Sequence, residues 1–287
     1  MQSPVALLRS ALPDRVVEWI SVVRRYRRWQ SRLPRVFNPQ TFNEKVVHRI
    51  LFDRRPVLTE LTDKAAVRHY VEARTGSSLL PEMYYLTKRP ETIPFDQLPD
   101  KFVVKPTHCS GWVRVIEDKS NVDRKKLIDL CNYWLGYSFY EEWRVPFYKN
   151  VDPRIIIEEL IEDGNGEAVP YDYKLHVFDS VVKLIQVDVG RFADHRRLLY
   201  TPAWEKLDIR TQFPAVIGDL PRPSHLEEMI QSAETLSRGL DYVRADFYDT
   251  PRKLYIGELT MGPGGGGEKF FPEQFDSYLG SLWKLSY

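Results

Sequence analysis

Cysteine is nearly absent: Cys109 and Cys131 are the only two in 287 residues. Two cysteines build neither a disulfide framework nor a zinc ligand set, and their scarcity suits a reducing compartment, so the expected location is cytoplasmic. Excess charge is absent too. Lys and Arg number 41 against 40 Asp and Glu, a formal net of +1, which argues against a generally basic nucleic-acid binder. No uninterrupted apolar run is long enough to span a bilayer. The opening MQSPVALLRSALPDRVVEWISVV is broken by Arg9, Pro13, Asp14, Arg15 and Glu18. It reads as two short amphipathic helices, not as a signal peptide. Internal repeats and low-complexity tracts are missing. What is present is 43% hydrophobic and 13% aromatic, enough for a substantial core.

The charge is uneven along the chain. RRYRRWQSRLPR (24–35) is dense in arginine and carries no acid. Residues 14–33 read as a helix with apolar Val16, Val17, Ile20, Val23 and Leu33 beside Arg24, Arg25, Arg27, Arg28 and Arg32. Such a helix either packs on the protein or lies on an anionic membrane. NPQTFNEKVVHRILF starts with Thr41 and Glu44 in capping-box spacing, and LTDKAAVRHYVEART is a helix capped by Thr62 or Asp63 and stopped at Gly76. Strands are expected at EMYYLT, KFVVKP, WVRVIED, RIIIEELIE, YDYKLHVF, VVKLIQVDVG and RLLY, and helices at 121–135, 224–239 and 272–284. Grouped strands with helices beside them make an α+β pattern.

The chemistry concentrates at a few strand ends. VRADFYDTPRKLYIGELT (243–260) reads as a hairpin turning at Asp249–Arg252. Alternation puts Arg244 and Asp246 on one face and Glu258 and Thr260 on one face. Pairing brings Asp246 towards Glu258, and two bare carboxylates need a proton, a salt bridge or a divalent cation. FVVKPTHCSGWV places Lys105 before a small-residue loop with Ser110 and Gly111 that can bring backbone N–H groups to phosphate; an ordinary hairpin with an exposed Lys is the plain alternative. Cys109 lacks an evident triad partner. RIIIEELIED leaves the core as a strand ending in two acids and two apolar residues, which suits an apolar slot for a purine, or a buried strand with a charged end. Asp172 and Lys174 share a face, and Arg191 ends the next strand. With Lys64, Lys105 and Arg244 these cations suit phosphoryl chemistry if they converge. His195 and Arg196 are either acceptor contacts or surface residues.

FNEKV, LTDKAAVRHYV, LPDKFVVKPTHCSGW, PRIIIEELIED, YDYKLHVF and VRADFYDTPRKLYIGELT, in that order, resemble the ATP-grasp superfamily and, more narrowly, the teichuronopeptide-biosynthesis (TupA-like) ATP-grasp family. The resemblance runs from about Lys64 to Gly267. It implies an α+β ATP-grasp fold, two lobes clamping ATP, with a helical N-terminal extension. The expected division is a basic helical region 1–60, a first lobe 61–157 and a second lobe 158–287. It further implies that Lys64 and Lys105 hold the ATP phosphates, under a mobile loop containing Ser110 and Gly111. Glu158, Glu159 and the backbone of Leu160 and Ile161 line the adenine slot. Asp172 faces the ribose and Lys174 the phosphates. Arg191 and Arg244 steady the transferred phosphoryl group, and Asp246 and Glu258 bridge Mg²⁺. Many members have Asn where this chain has Thr260, a weaker metal ligand whose shell water completes.

The activity implied is an ATP-dependent carboxylate–amine ligase working through an acyl phosphate, modifying a cell-surface polysaccharide or its precursor. A sugar or polyol kinase on the same Mg²⁺–ATP site, and a non-catalytic ATP-binding module, stand beside it. The implied partners are a small-molecule or polysaccharide-linked carboxylate and an amine, with no nucleic acid. The basic N-terminus is a candidate for peripheral contact at the inner face of the membrane. GPGGGGEKF suits either the acceptor carboxylate or a flexible loop.

Overall fold

The period-two stretches become antiparallel sheets, and the 3.6-period stretches become the helices that cover them. The computed structural model describes residues 12–162, 170–190 and 194–287. In chain order the helices are α1 (Asp14–Gln30), α2 (Phe42–Phe52), α3 (Pro56–Thr62), α4 (Ala66–Thr75), α5 (Arg124–Gly136), α6 (Phe139–Trp143), α7 (Leu226–Leu236) and α8 (Gln274–Leu282). The strands are β1 (Met83–Thr87), β2 (Phe102–Pro106), β3 (Arg114–Ile116), β4 (Ile155–Glu159), β5 (Asp172–Phe178), β6 (Val181–Val189), β7 (Arg196–Tyr200), β8 (Arg210–Thr211), β9 (Tyr242–Asp249), β10 (Leu254–Thr260) and β11 (Phe270–Phe271).

A four-stranded sheet runs β1-β4-β2-β3, and a five-stranded sheet runs β10-β9-β5-β6-β7. Each has its own apolar core. Phe102, Val104, Ile155 and Ile157 pack with Leu127, Cys131 and Trp134 of α5 in the small lobe. In the large lobe, Leu175, Val177, Ile185, Val243, Ala245 and Phe247 pack with Met229, Ala233 and Leu236 of α7. The opposite face of the large sheet is polar, and it is the floor of the site described below.

The helical N-terminus is not an appendage. Val22 and Tyr26 of α1, Phe42, Val46, Val47 and Ile50 of α2, and Leu58, Leu61, Tyr70 and Val71 of α3 and α4 belong to the large lobe's core. Residues 61–75 therefore pack with the large sheet, and the expected division at 157/158 falls inside β4. The first of the two short helices expected at the opening falls on residues outside the described ones; α1 covers Asp14–Gln30 and ends at Ser31, which adopts a left-handed conformation with φ 56°. The first eleven residues lie outside the described ones.

Local signals explain the helix starts. Thr41 and Glu44 form the capping box at α2. Glu44 also accepts from Arg32 Nη1 at 2.5 Å, Arg35 Nε at 3.0 Å and the Gln40 N–H at 2.9 Å, which pins the segment after α1 to α2. Neither Thr62 nor Asp63 is the N-cap of α4, which is Ala65 with no side-chain cap; Asp63 Oδ1 accepts from the Ala65 N–H at 2.8 Å in the turn leading into the helix. Among the described residues no helix is long and apolar enough to cross a membrane.

The tightest helix crossing is at Gly280 of α8. A Cβ there would stand 2.2 Å from the Gln40 carbonyl oxygen and 2.7 Å from the Thr41 Cα. Backbone atoms cannot swing aside as a side-chain end can. Gly280→Ala is expected to cost about 2–3 kcal/mol, read as a lower denaturant midpoint at unchanged slope.

Candidate active site

The hairpin β9–β10 reaches its chemistry through a β-bulge. Ile256 pairs with Phe247, but the next paired residue is Glu258, opposite Asp246, followed by Leu259 opposite Ala245 and Thr260 opposite Arg244. Gly257 is the extra residue. In a regular strand, with Gly257 paired and not bulged, Glu258 would share the apolar face of Ile256. The bulge turns Glu258 and Thr260 onto the face of Asp246 and Arg244. A Cβ on Gly257 would meet Tyr248 Cε2 at 2.8 Å, so glycine suits the close approach. Asp246 and Glu258 are thus brought together as the sequence reading expects, by a device that strict alternation does not contain.

Register then extends the polar face across the sheet. Lys174 lies between Asp246 on β9 and Gln186 on β6, and Asp172 lies opposite Asp188. The Lys174 ammonium is paired with Asp172 and stands 3.4 Å from Asp246 and 3.7 Å from Asp188. Arg244 clamps Asp246 with two bonds, Nε to Oδ1 at 2.7 Å and Nη2 to Oδ2 at 2.6 Å, and its Nη2 also donates to Thr260 Oγ1 at 3.2 Å. At the other edge Arg197 Nε donates to Asp188 at 2.6 Å and its Nη1 to Glu268 at 2.9 Å. These charged side chains are largely buried and face one another as ion pairs. Burial pushes the Asp188 carboxyl up, but Arg197, then Lys174 and His195, outweigh it and hold it at about 2. Burial likewise opposes the Arg244 charge, and Asp246 more than reverses that. His176, on the same face, is driven down to about 3 by burial and by Arg244, so it is neutral at pH 7.

A cleft opens between this hairpin and the small lobe. Its apolar wall includes Val103, Val115, Leu160 and Ile161, and its polar wall brings Lys64, Lys105, Asp246 and Glu258 into one space. Burial lowers the Lys64 pKa, with Glu258 opposing, and its ammonium donates to the Cys109 carbonyl. Lys105 Nζ donates to Glu158 at 3.1 Å, and Arg68 Nη1 donates to the same carboxylate at 2.6 Å. Glu158 therefore orients two cations, while Glu159 accepts from the Tyr255 hydroxyl at 2.7 Å and the Glu82 N–H at 3.1 Å. Both acids border the apolar slot with their carboxylates already engaged by protein. Gly111 lines the cleft at φ +76°, and Ser110 beside it is exposed.

Asp172, Lys174, Arg244 and Thr260 are not among the residues lining the cleft; they form the buried floor beside it. Arg191 lies outside the described residues. Of the two residues left open near it, His195 stands 3.4 Å from Asp188, whereas Arg196 pairs with Asp194 at the surface. Cys109 is fully buried and its thiol is pushed up to about 11, which fits packing rather than nucleophilic work. The glycine run is neither a free loop nor an open cradle. Gln30 Nε2 donates to the carbonyls of Gly266 and Glu268 at 3.2 and 2.9 Å, and Asn43 bonds Glu268 in both directions. Trp29 lies so close over Gly267 that a Cβ there would meet its ring at 2.4 Å.

Sequence reasoning missed Arg68, Asp188, Arg197 and Tyr148. Arg68 follows Lys64 by four residues, a signal that was available. Asp188 and Arg197 are revealed only by the register of β6 and β7. Tyr148 packs near Ser110, Glu258 and Arg244 from a single 3₁₀ turn, which no periodicity announces. Among the described residues no three His, Cys, Asp or Glu side chains are gathered as a metal site. Two carboxylates facing a cationic cleft do fit a Mg²⁺ that arrives with phosphate oxygens, since that ion takes one or two carboxylates plus substrate oxygen and water.

The family model described as TupA-like ATP-grasp matches residues 44–284. A search of the curated proteins finds no match. Among solved structures, a D-alanine–D-alanine ligase from Bacillus anthracis is 17% identical with a TM-score of 0.48, covering 78% of this chain and 66% of that one. The ATP complex of such a ligase from the same organism, also 17% identical, gives 0.44, covering 72% and 57%. An ADP complex of N5-carboxyaminoimidazole ribonucleotide synthetase is 14% identical and gives 0.46, covering 74% and 48%. The chain thus spans about three fifths of the length of the two D-alanine–D-alanine ligase structures.

The floor makes a prediction about charge. A carboxyl held at about 2 contributes stability that is complete above its ordinary value near 3.8 and is lost only as pH falls towards 2. Asp188→Asn should therefore cost about 3 kcal/mol at pH 8, and the difference from the unaltered protein should shrink as pH falls from about 3.8 towards 2, measured by urea denaturation.

Proposed function

The chain belongs to the TupA-like ATP-grasp family and has its α+β fold of two lobes, and from that premise we propose that it is an ATP-dependent carboxylate–amine ligase. The acceptor carboxylate takes the γ-phosphoryl group of ATP, giving an acyl phosphate and ADP. An amine then displaces phosphate to form the amide. The acceptor is a cell-surface polysaccharide or its precursor, and the reaction runs in the cytoplasm.

The observation that carries the reading is the cleft in which Lys64 and Lys105 meet Asp246 and Glu258, beside an apolar slot. Lys64 and Lys105 bind phosphate oxygens, and Glu158 with Arg68 keeps Lys105 in place. Leu160 and Ile161 flank the adenine, with Ser110 and Gly111 over the phosphates. Arg244 and Arg191 bear on the transferred group. Thr260, already bonded to Arg244, acts on the metal shell through water. Asp246 and Glu258 would hold Mg²⁺, which would supply neutralisation of phosphate charge. Lys174 and Asp172 keep Asp246 oriented from below.

Peripheral membrane contact belongs to the same proposal. Val16, Trp19 and Ile20 are exposed on α1 at 41%, 40% and 49%, beside Arg24, Arg27 and Arg28, which have no carboxylate partner among the described residues. Each basic residue near an anionic surface contributes about 1 kcal/mol.

Three experiments test these readings. Asp246→Asn and Glu258→Gln should each lower ATP turnover by about 100-fold or more; the melting temperature should be unchanged in Glu258→Gln and lower in Asp246→Asn, which also breaks the Arg244 clamp. Mass spectrometry of products from uronic acids and amino acids with Mg²⁺–ATP should find an amide. A stable phosphoester instead indicates a kinase, and binding without turnover a module. Trp19→Glu with Ile20→Glu should abolish salt-sensitive flotation with anionic liposomes; flotation equal to that of the unaltered protein removes the membrane contact.

A further inference from the structure

The cleft has a neighbour at the joint between the lobes. Beyond Arg68 lies a second hollow with a volume of about 470 Å³, within the range of small-molecule sites. Arg68, Leu80 and Pro81 line both spaces, so they are the partition between them. One wall of the second hollow comes from α4, with His69 and Glu72. The other comes from the small lobe: Glu82, then Met83 and Leu86 of β1, and Arg154 just ahead of β4. A molecule seated there touches both lobes.

The charged groups of this hollow differ in what they already hold. Arg68 donates from Nη1 to Glu158 at 2.6 Å and from Nη2 to the Pro81 carbonyl at 2.7 Å. Arg154 donates from Nη2 to Asp63 at 2.8 Å, while its Nη1 makes no hydrogen bond among the described residues and is open to solvent. The Glu72 and Glu82 carboxylates are exposed and have no partner among the described residues. A simple anion would therefore face two bare carboxylates, and a simple cation two guanidiniums. A molecule carrying both charges satisfies each group with its opposite. The remaining lining is aliphatic, with Ala65, Ala66, Leu80, Pro81, Met83 and Leu86, and it includes no Phe, Tyr or Trp on which a base or a sugar ring would stack.

We propose that this second hollow binds an aliphatic amino acid as an effector, and that its occupancy weakens ATP binding in the cleft. The effector's carboxylate meets Arg154 and Arg68, its ammonium meets Glu72 and Glu82, and its side chain lies on Leu80 and Leu86. Arg68 carries the coupling. Glu158 holds Arg68 on one carboxylate oxygen and Lys105 on the other. A second carboxylate draws Arg68 towards the hollow, so that the Glu158 charge falls on Lys105 alone and holds that ammonium back from phosphate. Linkage makes the effect mutual: bound ATP weakens the amino acid by the same factor. The coupling rests on the reading of the cleft as a nucleotide site, whereas binding in the hollow does not.

The test is calorimetry on the full chain with L-norleucine, and with hexanoate, pentylamine and glycine, which lack in turn the ammonium, the carboxylate and the aliphatic side chain. L-norleucine should bind, and each of the other three about tenfold or more weakly, the scale of one charge-assisted bond or a few buried methylenes. Arg154→Gln should weaken L-norleucine by about tenfold and also lower the melting temperature, because the Asp63 pair is lost. Glu72→Gln, at an exposed and unpaired side chain, is the second variant: it should weaken L-norleucine by about fivefold at unchanged melting temperature and unchanged ATP affinity. In the unaltered protein, saturating L-norleucine should raise the Kd for ATP by about fivefold and then raise it no further. No L-norleucine binding, or binding undiminished in both variants, overturns the proposal. An ATP Kd that climbs without levelling off places the amino acid in the cleft itself and overturns it, and an ATP Kd unchanged at saturation overturns the effector role. L-norleucine binding to a protein that binds no ATP sustains this site while removing the nucleotide reading of the cleft.

Discussion

One buried ammonium organises the large sheet. Lys174 has three aspartates around it, contributed by β5, β6 and β9. Asp172 on its own strand is the nearest partner, and Asp188 and Asp246 come within 4 Å of the same ammonium only when the three strands stand in one register. A one-residue slip would bury lone charges, which costs far more than the slip would cost an apolar pair. The same aspartates hand their second interactions to Arg244 and Arg197. The cations that steady the floor are thus fixed by the carboxylates that steady the fold.

The two lobes are joined differently. Their apolar clusters are separate. Among the links between them are polar contacts: Arg68 to Glu158, Tyr255 to Glu159, and Arg154 to Asp63 at 2.8 Å. Polar contacts over a cleft can exchange with water as the lobes shift, whereas a shared apolar core would not yield without exposing side chains. Glu158 and Glu159 sit at that joint, so the acids that the sequence offers as slot residues also set how the small lobe meets the large one.

Much of this was legible in the chain because its cues are local. The capping box at Thr41, the hairpin at Asp249–Arg252 and the alternation in β5 and β6 are each written within a few residues. Register is not local. The Gly257 bulge, the meeting of Asp172 with Asp188 and the saturation of Glu158 by two cations depend on strands distant in sequence. The lobe boundary was misplaced for the same reason: α3 and α4 follow the N-terminus in sequence but share a core with strands a hundred residues later. The glycine run was read from its own composition, while its conformation is set by Trp29, Gln30 and Asn43.

α1 precedes the family-matched segment, which begins at Glu44, yet Val22 and Tyr26 on one side of it fill the large lobe's core. Arg25 and Trp29 lie between and beyond those two core residues on the same few turns. Drift at this helix is therefore constrained position by position: Val22 and Tyr26 hold core packing, Trp29 and Gln30 hold the glycine turn, and the exposed Arg24, Arg27 and Arg28 touch neither. Variation on that exposed face can accumulate in a part of the chain that a comparison restricted to the family's shared segment would discard.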